Sequence, residues 1–199
     1  MKPIAIALTG ASGMPYALTL LKELIKTQEL IYVMISTAAN TVIAMETDLN
    51  LGSDTNSVEG NLSKYLGAKE GQIKVFSKNQ WTAPVASGSN PPRAMVVCPC
   101  TMSTLSAIAN GHGDNLMHRA ADVVIKEQKK LILVPRETPY SAIHLENMLK
   151  LSRLGVVIMD ANPAFYQNPK SVQDLVNFVV ARILDHLEVK HELLPPWQG

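Results

Sequence analysis

The sequence has no surplus of charge of either sign: 18 Lys and Arg stand against 17 Asp and Glu, a formal net charge of +1. That balance offers no broad attraction to DNA, RNA or an acidic membrane surface. Charge is also scarce, at 18% of residues where soluble domains average ~25%. A chain this short of charge is expected to cover part of its surface with copies of itself, as a homo-oligomer. Cysteine is limited to Cys98 and Cys100. One residue apart on an extended segment, the two are expected on the same face, a poor geometry for a disulfide and an incomplete ligand set for zinc. They read as buried thiols of a protein kept in a reducing cytoplasm. The five histidines have no ligand spacing, so no metal site is expected. No stretch approaches the ~20 apolar residues of a membrane span, and the apolar run Ile4 to Leu8 is too short for a signal peptide.

What the chain does have is apolar content: 47% of its 199 residues. That excludes disorder and, at ~150 residues per domain, predicts one domain over 1–199. Short apolar runs alternate with helical periodicity. Strands are predicted at 3–9, 30–36, 73–76, 94–98, 131–134 and 156–159. Helices are predicted at 16–26, 38–45, 58–66, 101–109, 115–128, 141–154 and 172–187, with a tail at Pro195-Pro196-Trp197. Residues 50–92, dense in Gly, Ser, Asn and Pro, are the least regular part. Strands apolar on both faces and separated by helices predict an α/β fold. We expect a Rossmann-like or flavodoxin-like three-layer sandwich with a mostly parallel sheet. Ligands in such folds bind outside the carboxyl ends of the strands.

Several residues at those ends have chemistry to offer. Gly10-Ala11-Ser12-Gly13 follows the first strand and reads equally as a plain tight turn or as an anion cradle. The second strand ends in Ser36-Thr37, where a nicotinamide enzyme would place Asp or Glu; hydroxyls suit a mononucleotide better. Thr101, Met102, Ser103 and Thr104 open a helix with more hydroxyls than one cap requires. Arg119 and Lys126 are seven apart on one predicted helix, hence on one face. Arg136 lies in the rigid turn Pro135-Arg136-Glu137-Thr138-Pro139, and Arg182 lies in the last helix. Each of these cations also reads as a solvated or ion-paired surface group. Glu46 and Glu137 are candidate general bases if burial raises their proton affinity. Trp81 is a large ring in a loop, suited either to packing or to steadying a cation.

Thr9 to Gly13, the segment from Cys98 to Gly111, and above all Arg119-Ala120-Ala121-Asp122 through Lys126 to the Pro135–Pro139 turn resemble the UbiX-type flavin prenyltransferases. That family of flavin-binding, Rossmann-like proteins was formerly labelled aromatic-acid decarboxylases. The resemblance spans nearly the whole chain. It implies transfer of dimethylallyl from dimethylallyl monophosphate to N5 and C6 of reduced FMN, without a metal. The product, prenylated FMN, would serve a UbiD-type decarboxylase, as in ubiquinone biosynthesis. The family pattern implies a homododecamer with sites between subunits. It places flavin on Gly10, Ala11, Ser12, Ser36, Thr101, Met102, Ser103, Thr104 and Arg136. It places the prenyl phosphate on Lys126, Tyr166 and Arg182, with Arg119 near by. Trp81 would shield the allylic cation, Ser12 and Glu46 would handle protons, and Glu137 would help to protonate the departing phosphate. Two other functions remain open from the residues: an FMN-dependent cysteine decarboxylase of the wider group, and a non-catalytic flavin carrier.

Overall fold

A computed structural model describes residues 2–194, so the Pro195-Pro196-Trp197 tail lies outside the described residues. Six strands form one sheet: β1 (Ile4–Leu8), β2 (Ile31–Ile35), β3 (Ile73–Phe76), β4 (Ala94–Cys100), β5 (Lys130–Pro135) and β6 (Val157–Ile158). Their order is β3-β2-β1-β4-β5-β6, and every neighbouring pair is parallel. Six helices lie between them and a seventh follows β6: α1 (Met14–Lys26), α2 (Thr37–Glu46), α3 (Thr55–Leu66), α4 (Met102–Ala109), α5 (Leu116–Lys126), α6 (Ala142–Arg153) and α7 (Val172–Leu187). This is the doubly wound arrangement expected from the strand–helix alternation. Its order reverses between β1 and β4, and that switch point opens a crevice at the strands' carboxyl ends.

The strands are buried on both faces, and their alternate side chains feed two separate apolar layers. Ile4, Ile6 and Leu8 join Val96, Leu20, Leu24, Val176 and Val180 in the layer under α1 and α7. Ala5 and Ala7 join Met95, Val97, Leu105, Leu116 and Ala120 in the layer under α4 and α5. Large residues on one face of β1 and alanines on the other let both helix layers approach a single central strand. The two layers contain about half a hundred side chains with essentially no exposure, so a large-to-small change in either would cost ~2–5 kcal/mol.

Two sequence expectations are corrected here. Cys98 belongs to the α1/α7 layer and Cys100 to the α4/α5 layer, so they lie on opposite faces rather than one. The β4–β5 register shifts between Val97 and Cys100, and that irregularity breaks the period-two alternation. Both thiols are free and buried; burial pushes Cys98 up to about 12 and Cys100 upward as well, which leaves them inert. The helix predicted at 58–66 begins three residues earlier, because Asp54 caps it by accepting from the backbone N–H groups of Asn56 and Ser57 at 3.0 and 3.1 Å.

Thr9, just past β1, is only 1% exposed. Its hydroxyl donates to the Pro99 carbonyl at 2.7 Å and accepts from the Thr101 backbone N–H at 2.8 Å. It thereby joins the ends of β1 and β4 at the switch point. Replacing it with the isosteric Val strands both partners, with an expected loss of about 1–3 kcal/mol in urea denaturation. Thr9→Ser retains the hydroxyl and should lose distinctly less; a loss in Thr9→Val no larger than in Thr9→Ser would contradict a dominant role for the bridge.

Candidate active site

A cavity of about 450 Å³ opens at the switch point and is lined by Gly10, Ser36, Lys78, Thr101, Ser103, Thr104 and Asn115 among others. Three helices begin on it. Ser36 caps α2 by accepting from Ala39 N–H at 3.1 Å, Thr101 caps α4 from Thr104 N–H at 3.2 Å, and Asn115 caps α5 from His118 N–H at 3.0 Å. Each start presents unpaired N–H groups and the positive end of a helix dipole, so together they favour a negatively charged, hydroxyl-rich ligand. The hydroxyls form a connected set: Thr101 Oγ1 lies 3.0 Å from Thr104 Oγ1 and 3.1 Å from Ser103 Oγ. Gly10 is required, because a Cβ there would run into the Cβ of Ala38 and push α2 away. Ser36, Thr101, Ser103, Thr104 and Gly10 thus meet on one cavity. Met102 does not: its side chain turns into the α4/α5 layer. Ala11 is buried and does not line this cavity.

At the opposite end of α2 from Ser36, Glu46 reaches the start of α1. Its Oε2 accepts from Gly13 N–H at 3.0 Å and Met14 N–H at 2.8 Å. Gly13, at φ +121°, has no side chain to cap that helix, and Glu46 does so in its place. The expectation that burial would raise this carboxyl is corrected. Burial does push it up, but the hydrogen bonds from Ser12, Gly13 and Met14 and the charge of Arg136 outweigh it, holding Glu46 below the ordinary glutamate range. Ser12, Glu46 and Arg136 are therefore neighbours. Glu137, half-buried, accepts from its neighbour Thr138 N–H at 3.3 Å. Sequence reading passed over Tyr140, whose phenol is pushed well up by burial, by a hydrogen bond to Asp160 and by the charges of Asp160 and Glu137. It also passed over Thr9, Lys78 and Asn115; of these only Asn115, an Asn directly before an apolar helix, had a legible capping signal.

The remaining cations divide into two groups. Arg119 and Lys126 do share one face of α5, as their spacing predicted. Arg119 donates to the Ala86 carbonyl at 3.1 Å and pairs with Asp122 at 2.7 Å; Lys126 pairs with Glu127, against Gly88. Both face the segment that follows Trp81, whose ring is 49% exposed on a turn. Tyr166 and Arg182 line a separate cavity of about 520 Å³ beside α7, where Tyr166 meets Phe178 edge to face at 6.0 Å. Because α5 covers one face of the sheet and α7 the other, one chain does not bring Lys126 and Arg182 together. Among the described residues no cluster of His, Cys, Asp and Glu is placed to hold a metal ion, and no helix is long and apolar enough to cross a membrane.

A doubly wound sheet with an anion-favouring, hydroxyl-lined cavity at its switch point is the architecture of a mononucleotide-binding flavoprotein. Residues 1–184 match the Flavoprotein family. The chain is 54% identical over 194 residues to the flavin prenyltransferase UbiX of Pseudomonas aeruginosa, covering 98% of this chain and 93% of that protein. It also superposes on a dodecameric FMN-dependent UbiX-like decarboxylase from Escherichia coli O157:H7, with TM-score 0.86, 39% identity and coverage of 99% and 100%. A structure of AnUbiX (PadA1) in complex with FMN and dimethylallyl pyrophosphate gives TM-score 0.87, 37% identity and coverage of 100% and 98%. The chain belongs to the flavoprotein family and, within it, to the UbiX flavin prenyltransferases.

The cap that Glu46 provides has a pH signature. A folded value below the unfolded one gives stability that is complete above the ordinary glutamate range and is lost as pH falls through the lower folded value. Glu46→Gln should therefore cost about 1 kcal/mol at pH 7. The gap to the unsubstituted protein should close as the medium is acidified through that range, measured by denaturant titration at a series of pH values. A gap that is constant or widens on acidification would contradict the assignment.

Proposed function

We propose that this chain is a single-domain flavin prenyltransferase that joins the dimethylallyl group of dimethylallyl monophosphate to N5 and C6 of reduced FMN. The observation that carries this reading is the convergence of α2, α4 and α5 on one hydroxyl-lined cavity, with Ser12, Glu46 and Arg136 grouped at the start of α1 after the Gly10 turn. The residues present suit FMN. Ser36, Thr101, Ser103 and Thr104 offer hydroxyls to its phosphate and ribityl chain, and the Gly10 turn leaves room for close approach. Gly10, Ala11, Ser12, Thr101 to Thr104 and Arg136 are the flavin-holding set; Met102 and Ala11 act there through their backbone alone. Reduced FMN supplies the nucleophilic nitrogen and carbon.

The chain's own groups deal with protons and with the leaving phosphate. Glu46, ionised and hydrogen-bonded by Ser12, accepts a proton as the fourth ring closes. Departure of an allylic phosphate develops negative charge, which Lys126, Arg119, Tyr166 and Arg182 meet with charge-assisted donors in place of a metal. Glu137 assists in protonating that phosphate. Trp81, half-exposed on its turn, presents a π face to the allylic cation.

Lys126 and Arg182 flank opposite faces of one sheet, so the phosphate clamp forms between subunits of a homo-oligomer, in keeping with the dodecameric relative. Low charge and exposed Trp81, Phe165, Tyr166, Ile143 and Leu149 supply surfaces for that assembly. The product passes to a UbiD-type decarboxylase in a reducing cytoplasm.

The decisive assay incubates the protein anaerobically with reduced FMN, dimethylallyl monophosphate and a chelator, and weighs the flavin by mass spectrometry. A five-carbon gain is expected, with the diphosphate as the comparison donor; flavin of unchanged mass with both donors would defeat the reading. Lys126→Ala, Tyr166→Phe and Glu137→Gln should keep FMN and lose turnover by ~10²-fold or more. Assembly supplies a second check. Lys126→Ala and Arg182→Ala protomers, each impaired alone at low dimethylallyl monophosphate, should recover turnover when dissociated and reassembled together. Absence of recovery in confirmed mixed oligomers would place both residues in one protomer's site.

A further inference from the structure

Beyond α7 the chain reverses. Glu188, at φ +58°, closes the helix with its N–H on the Asp185 carbonyl at 3.1 Å, and the next residue, Val189, is buried. This turn folds His191 back beside the last turn of α7. There the imidazole Nε2 lies 3.0 Å from Asp185 Oδ1, while Asp185 Oδ2 accepts from Arg182 Nη1 at 2.6 Å. The ring's other nitrogen, Nδ1, accepts from Leu193 N–H at 3.3 Å. That bond places the ring proton on Nε2, so His191 donates to the carboxylate and the carboxylate receives a donor on each oxygen.

Arg182 and Asp185 are 53% and 46% exposed, and an exposed pair one helical turn apart contributes little by itself. His191 is different: its side chain is only 9% exposed, so it anchors Asp185 to the body of the protein. A guanidinium has five N–H donors in a fixed plane. Asp185 engages one of its terminal nitrogens; Nε and Nη2 have no partner among the described residues. Arg182, Asp185 and His191 all line the cavity that also contains Tyr166 and Lys190.

We infer that Asp185 is a positioning residue for the prenyl-phosphate site. Held by His191, it fixes the plane of Arg182 so that the guanidinium edge not engaged by Asp185 meets the phosphate oxygens without first losing rotamer freedom. This rests on the reading that Arg182 binds the prenyl phosphate. Neither Asp185 nor His191 touches the reacting atoms; both act through Arg182. The chemistry recognised is a phosphate ester, and losing Asp185 weakens the hold of Arg182 on that ester while leaving its charge in place for the departing phosphate.

The test is steady-state prenyl transfer by the assembled protein at saturating reduced FMN, with dimethylallyl monophosphate varied. Asp185→Ala should raise KM for the prenyl phosphate about tenfold, with kcat and FMN affinity changed less than about twofold. His191→Leu should shift KM in the same direction by less, and His191→Gln, whose amide N–H can replace Nε2–H, should restore it. Thermal unfolding is followed in parallel. A lowered midpoint with unchanged KM would assign the bracket a purely structural role and overturn the proposal. So would an Asp185→Ala variant that leaves KM unchanged while Arg182→Ala raises it, and in that case the underlying reading of Arg182 survives. An unchanged KM in Arg182→Ala, in protein that still prenylates flavin, would overturn both.

Discussion

The side chain of Thr9 bridges the ends of β1 and β4, where the strand order reverses, and the site is built outward from that bridge. Its hydroxyl engages the Pro99 carbonyl and the Thr101 N–H at once, so the turn after β1 and the start of α4 share one buried anchor. From β1 the chain enters the Gly10–Gly13 turn, against whose first glycine α2 packs; from β4 it enters the hydroxyl-bearing first turn of α4. A shift of one strand end relative to the other would separate the helix starts whose N–H groups define the cavity. Burial makes the bridge matter: an unmade hydrogen bond at a buried polar group costs more than the net gain of making one.

Electrostatics at this site come mainly from backbone groups. Three helix N-termini face one cavity in a chain with a net charge of +1, so attraction for an anion is local rather than global. Glu46 fits the same logic from the other side. Its carboxylate is held ionised because it takes the place of a missing cap on α1, with Ser12 and Arg136 adding to the effect. That negative group is thus already balanced by donors of its own.

The division of the cations follows from the three-layer architecture. α5 and α7 lie on opposite faces of the sheet, and a sheet filled on both faces by packed apolar side chains offers no passage between them. Groups on the two helices can serve one substrate only where different copies of the chain meet. On the proposed reading the assembly is part of the site, and the exposed aromatic residues serve as subunit contacts.

The sequence by itself determined the alternation of strands and helices, most element boundaries to within a few residues, and the hydroxyl-bearing turns at the strand ends. These are local signals: apolar periodicity, caps and glycines are read from neighbours in the chain. The shared face of Arg119 and Lys126 was legible for the same reason, since helical spacing alone dictates it. Tertiary structure decided what depends on partners distant in sequence. Cys98 and Cys100 part to opposite faces because of how β4 pairs with β5, not because of their spacing. Met102 enters the core rather than the cavity because α4 rests on the second apolar layer. Glu46 is held ionised by backbone N–H groups more than thirty residues away. Lys126 and Arg182 are kept apart by the sheet that lies between their helices. Proton affinity, facing and convergence are properties of the packed surroundings, and those exist only once the chain has folded.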